Sequence, residues 1–128
     1  EINKRCAALN KQMPILIEVN IGREESKSGV LPEDLPALLE EISKLPAVSV
    51  RGLMAIPPVC ENNEQVSQYF YQIQQLFIDI KQKKYDNVNM VYLSMGMSGD
   101  FETAIECGAN MARVGSAIFG ARDYSQNK

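Results

Sequence analysis

The sequence predicts an α/β fold built on parallel strands, and three observations carry that expectation. Four short apolar runs rich in β-branched residues recur along the 128 residues. Helical patterns with one apolar face lie between them. The offsets from one run to the next, about 35 residues, leave room for the helical crossover that parallel strands need. The runs are mostly continuous rather than alternating, as in strands covered by helices.

The chain opens inside a helical pattern over residues 3–12. It starts at Glu1 without an initiator Met, which reads as a piece of something longer. The first strand covers residues 15–21. The charged loop 22–29 follows and reads as solvated, although on the ligand face of a barrel Lys27 and Ser28 can reach an anion. Asn20, at the end of that strand, is a candidate inward polar group. Leu35, Leu38, Leu39, Ile42 and Leu45 then fall on one helix face, with Glu33 and Asp34 in the first turn where acids are favoured.

The second strand covers residues 50–56, and Pro57 and Pro58 stiffen its exit. Val66, Tyr69, Phe70, Ile73, Leu76, Phe77 and Ile80 form a longer apolar stripe. The basic run 81–84 closes it, where cations suit the helix dipole. The third strand covers residues 90–94. Phe101, Ala104 and Ile105 mark a short helix, with Asp100 as candidate N-cap and Gly108 as C-terminal cap. A last strand around residues 112–114 and a final helical turn complete a single domain. Four strands cannot close a barrel alone, so the chain is either half of an eight-stranded barrel or a small open sheet.

Composition narrows the functions. A net charge of −3 with no strong basic patch argues against nucleic acid. No stretch approaches the roughly 18 apolar residues of a membrane span, and no signal peptide is visible. Cys6, Cys60 and Cys107 are widely spaced and odd in number, which predicts free thiols in a reducing, cytoplasmic setting. Histidine is absent, which removes imidazole acid–base chemistry and His-ligated zinc.

The segments 93–100 and 111–120 carry the chemistry. Each is an apolar run ending in small, backbone-exposing residues before a helical pattern. Turns of this kind, with hydroxyls at Ser98 and Ser116, can aim backbone N–H groups at one phosphate. Ordinary turn chemistry with capping by the two serines is the other reading. Arg113 lies two residues before Gly115 and points either into a site or to the outer helices. Beside a ring nitrogen its charge would disfavour ring protonation. Met54, Met95 and Met97 either wall a planar ligand or fill the core. Glu102 and Glu106 share a helix face and read as solvent-exposed.

Together the motifs 19–21, Ser26-Lys27-Ser28-Gly29, 51–56, 93–98, Asp100 and 113–122 closely resemble the YggS/PROSC family of pyridoxal 5′-phosphate homeostasis proteins. The resemblance implies part of a TIM-type, alanine racemase-like (β/α)₈ barrel, and places this chain as its C-terminal half, strands 5–8. It implies pyridoxal phosphate as cofactor, with Ser98, Gly115 and Ser116 on the phosphate, Met97 beside it and Arg113 against the pyridine nitrogen. It also implies a Schiff-base lysine upstream of this chain, because none of Lys4, Lys11, Lys27, Lys44, Lys81, Lys83, Lys84 or Lys128 stands in the matching context. Many family members carry Thr where this chain has Ser116, which keeps the hydroxyl. The expected role is cofactor holding and vitamin B6 homeostasis without catalytic turnover or metal. A racemase or decarboxylase of the same barrel class, or a half-barrel for another phosphate, are the rival readings. Self-association through the open sheet edges is expected.

Overall fold

The computed structural model describes residues 1–123 and 125. Its order is α1 (Ile2–Ala8), β1 (Met13–Val19), a 3-10 turn (Pro32–Asp34), α2 (Leu35–Ser43), β2 (Val48–Ala55), α3 (Asn63–Lys81), β3 (Val88–Met97), α4 (Phe101–Glu106), β4 (Met111–Arg113) and α5 (Ser116–Phe119). The four strands pair in parallel, in the order β1-β2-β3-β4, as one open sheet.

Burial follows the pleat. Ile17, Val19, Val50, Leu53, Leu93 and Met95 point to one face and are buried there. α2 covers that face with Leu35, Leu39 and Ile42, and α3 with Val66, Phe70, Ile73 and Ile80. The other face carries Leu16, Glu18, Arg51 and Met54, half-buried, and Tyr92, which is exposed. Side chains on a strand alternate between faces, so each strand gives one set to the helices and one to the inner side.

Local chemistry sets the element ends. The Asn62 side chain accepts from the Gln65 N–H and caps α3. α4 ends in a Schellman motif: Gly108, at φ +105°, donates to the Ile105 carbonyl and Ala109 donates to that of Ala104. The helix at the start is shorter than the sequence pattern suggests. It stops at Ala8, and Asn10 takes a positive φ of 50° to turn the chain into β1. Glu33 and Asp34 fall in the 3-10 turn rather than in α2; Asp34 is the N-cap position of α2 without a side-chain cap, and the Glu33 carboxylate accepts from Arg23 at 2.6 Å. β3 runs longer than the apolar segment 90–94, because Met95, Gly96 and Met97 continue the ladder toward Arg113.

Two features place the end of the sheet. Gly52 pairs with Tyr92 so closely that a Cβ there would overlap the Tyr92 carbonyl. Between Val50↔Val88 and Gly52↔Tyr92 the register shifts, and β3 bulges. Asn110 fastens β4: its Oδ1 accepts from the Leu93 N–H at 2.8 Å and its Nδ2 donates to the Val91 carbonyl at 2.7 Å. No helix among the described residues is long and apolar enough to cross a membrane.

Candidate functional site

The site lies where β3 and β4 end. β3 runs through Met97 into the turn before α4, and β4 passes Val114 and Gly115 into α5. The first turn is tight. Asp100 Oδ1 accepts from the Met97 N–H at 2.7 Å, so Asp100 holds its own turn and its side chain does not cap α4 as the sequence suggests. Gly96 sits at φ +94°, and a Cβ there would come within 2.7 Å of Ala104. Glycine is therefore required where β3 passes over α4.

Ser98 faces the second turn. Its Oγ accepts from the backbone N–H groups of Gly115 at 3.2 Å and Ala117 at 3.1 Å. Two N–H groups thus converge on one oxygen. Ser98 supplies this cap from across the groove, while Ser116 is the first residue of α5 and keeps its hydroxyl exposed. Cβ atoms built at Gly99 and Gly115 would meet nothing within 4 Å. The space beside these N–H groups is open, and neither glycine is demanded by packing.

Arg113 lies along the end of the sheet. Its Nη1 donates to Ser94 Oγ at 2.6 Å and its Nη2 to the Ala55 carbonyl at 3.2 Å, so the side chain reaches from β4 across β3 to β2. Among the described residues it forms no ion pair. Burial lowers its affinity for the proton below the ordinary guanidinium value, and the more distant carboxylates of Asp100 and Glu18 oppose that shift. The outcome is a partly desolvated cation held by two neutral acceptors.

Met97, Ser98, Arg113, Gly115 and Ser116 all line one groove of about 670 Å³, which Phe119 and Arg122 extend. Beyond Met97, Gly99 and Arg113 the groove continues past Lys27, Pro58 and Asn62. The five residues that the sequence singles out thus lie along one groove. Other candidates fall elsewhere. Asn20 spends its amide on the loop, with Nδ2 donating to the Glu24 carbonyl and Oδ1 accepting from the Glu24 N–H. Met95 is fully buried in the core, and of the three methionines only Met97 is strongly exposed to the groove, at 45%. Ser28 is exposed and does not line the groove. Glu102 and Glu106 are exposed. Lys128 lies outside the described residues. Sequence reading misses Ser94. The signal was there, a lone hydroxyl in an apolar strand, where a buried polar group needs a partner.

A family profile described as "Alanine racemase, N-terminal domain" matches residues 1–123. The pyridoxal phosphate homeostasis protein of Aquifex aeolicus is 50% identical over 97% of this chain and 54% of its own length. A structure of an unknown protein from Bifidobacterium adolescentis superposes with TM-score 0.86 at 33% identity, over 92% of this chain and 47% of that one. The structure of PipY from Synechococcus elongatus with PLP bound gives TM-score 0.79 at 29% identity, over 92% of this chain and 54% of that one. The chain spans about half the length of the relatives it matches. The profile also corrects one expectation: the matched region is the racemase N-terminal domain, so the assignment to a C-terminal half, strands 5–8, does not stand. The chain belongs to the alanine racemase N-terminal domain family, and its relatives within it are the pyridoxal phosphate homeostasis proteins that its motifs resemble.

Proposed function

We propose that this chain holds pyridoxal 5′-phosphate by its phosphate, as part of a protein of vitamin B6 homeostasis. The observation that carries the reading is the open space beside Gly99 and Gly115, bordered by the Ser98 and Ser116 hydroxyls and by the Gly115 and Ala117 N–H groups that Ser98 Oγ holds. A phosphate in that space would take the O–H groups of Ser98 and Ser116 as donors, with the two N–H groups polarising the Ser98 hydroxyl from behind. The groove is long enough to continue past Arg113, so a ring attached to that phosphate would meet the guanidinium. Relatives named for pyridoxal phosphate homeostasis, and PipY with PLP bound, support this choice of phosphate ester.

When bound, the cofactor supplies an electrophilic aldehyde on an electron-withdrawing ring. The chain's own residues bind and orient it: Ser98, Gly115 and Ser116 at the phosphate, Met97 along the apolar side, Arg113 at the ring nitrogen. A guanidinium donates and cannot accept, so it keeps a facing ring nitrogen unprotonated. That blunts the ring as an electron sink, which suits a carrier better than a catalyst. The free thiols of Cys6, Cys60 and Cys107 suit a reducing, cytoplasmic setting.

Competition titration tests the reading. Pyridoxal phosphate should bind with a change in its absorbance, pyridoxal without the phosphate should bind at least tenfold more weakly, and inorganic phosphate should displace the cofactor. Equal binding of the two vitamers, with no competition by phosphate, would overturn it.

A further inference from the structure

We propose that Ser94 is a positioning residue for Arg113, whose buried hydroxyl fixes the guanidinium across the end of the sheet as a donor not neutralised by a carboxylate. The inference rests on the reading of the groove as a pyridoxal phosphate site and adds a residue to it.

Ser94 sits in the middle strand of the three that Arg113 crosses. It pairs with Met54 of β2 and Met111 of β4, so its backbone is fixed on both sides. Only 2% of it is exposed. A hydroxyl that deep lacks water, and the bond from Arg113 Nη1 at 2.6 Å gives its oxygen a partner. The second anchor, the Ala55 carbonyl, ends β2. Anchors on two strands set both the reach and the plane of the guanidinium. An arginine tethered at one point would keep much of its rotamer freedom.

The chemistry of the anchors matters as much as their geometry. Asp100 and Glu18 both lie near enough to influence Arg113, yet neither pairs with it. Neutral acceptors leave the positive charge whole and the remaining N–H donors available. Without the Ser94 hydroxyl, the guanidinium is free to swing toward either carboxylate. An arginine paired to a carboxylate is a poorer donor to a neutral ring nitrogen. Ser94 therefore acts through Arg113, on orientation and on charge.

Two measurements on the Ser94→Ala variant test this, with thermal melting confirming that it folds. First, the guanidinium N–H resonances of Arg113 in ¹⁵N spectra should be resolved and slow to exchange in the parent, then broaden in the variant. Second, pyridoxal phosphate should bind the variant three- to tenfold more weakly, while an analogue with carbon in place of the ring nitrogen binds both proteins within twofold. Unchanged Arg113 resonances, or the same loss for both ligands, would overturn the positioning role. A parent protein that binds neither ligand would instead sink the groove reading on which the inference rests.

Discussion

Ser98 ties two turns of the fold together at the mouth of the groove. Its Oγ satisfies two backbone donors that a short helix leaves open. Neither serine caps the helix of its own turn as the capping reading of the sequence expects; Ser98 instead holds the N–H groups of the next turn, which leaves its own O–H to donate. Replacing Ser98 and Ser116 together by Ala should weaken pyridoxal phosphate binding by about 1–3 kcal/mol, as hydrogen bonds to a charged group are lost. Isothermal titration checks this, and an unchanged affinity would move the phosphate elsewhere. Gly115→Ala should fold normally, since its Cβ meets nothing within 4 Å, yet the methyl would enter the space beside the N–H groups and reduce affinity. The Glu33–Arg23 pair makes a pH prediction. The hydrogen bond from Arg23 holds the Glu33 carboxyl below its ordinary range. A group lowered on folding contributes stability above its unfolded value and loses it as pH falls through the folded one. Glu33→Gln should thus lower the melting temperature slightly at neutral pH, by an amount limited by solvent exposure, and the difference should vanish in strong acid.

Secondary structure was legible where a period was long. The stripe from Val66 to Ile80 places α3 because 19 residues of helix repeat the apolar face many times. Short elements were harder. The first helix ends at Ala8 rather than near residue 12, since one positive-φ residue, Asn10, decides its end and leaves no periodic trace. Asp100 looks like an N-cap by residue type, but its carboxylate bonds the Met97 N–H instead, and two such bonds look alike in sequence. Arg113 could not be aimed from sequence at all, because the pleat allows either face and only the register with Ser94 and Ala55 resolves it. Gly52 lies at the register shift between β2 and β3 and sits against the Tyr92 carbonyl. Any Cβ there forces β2 and β3 apart, and those strands carry Ala55 and Ser94. Gly52→Ala should destabilise the protein by roughly 1–3 kcal/mol, the scale of overpacking in a dense core. It should also weaken cofactor binding, although residue 52 does not line the groove. A chemical denaturation midpoint equal to the parent's would show that the strands yield cheaply.

Across the whole molecule, the helices of the described residues cover one face of the sheet only. Helices bury the outer set of side chains, while the inner set carries half-buried groups and an exposed Tyr92. On that side Arg51 Nε is buried with no hydrogen-bond partner among the described residues. Such atoms are costly unless something completes them. The edges are uneven. At the end of β1, Val30 donates to the Glu18 carbonyl and accepts from the Asn20 N–H, which occupies part of that edge. Among the described residues the rest of β1 is unpaired on that side, and Pro14 removes one donor from it. β4 offers only Met111–Arg113. Short edges limit ladder pairing, so association should draw mainly on the uncovered face and on Phe119, which is 86% exposed. This chain on its own should therefore self-associate at tens of micromolar, seen as a concentration-dependent rise in sedimentation coefficient. Tyr92→Lys places a charge on the uncovered side without touching the helix-covered core. It should shift the protein toward monomer while leaving its far-ultraviolet spectrum unchanged. A parent that sediments as a clean monomer throughout that range would mean that the inner face is tolerated in water as it stands. The sheet would then need no second surface to hold Arg113 in place.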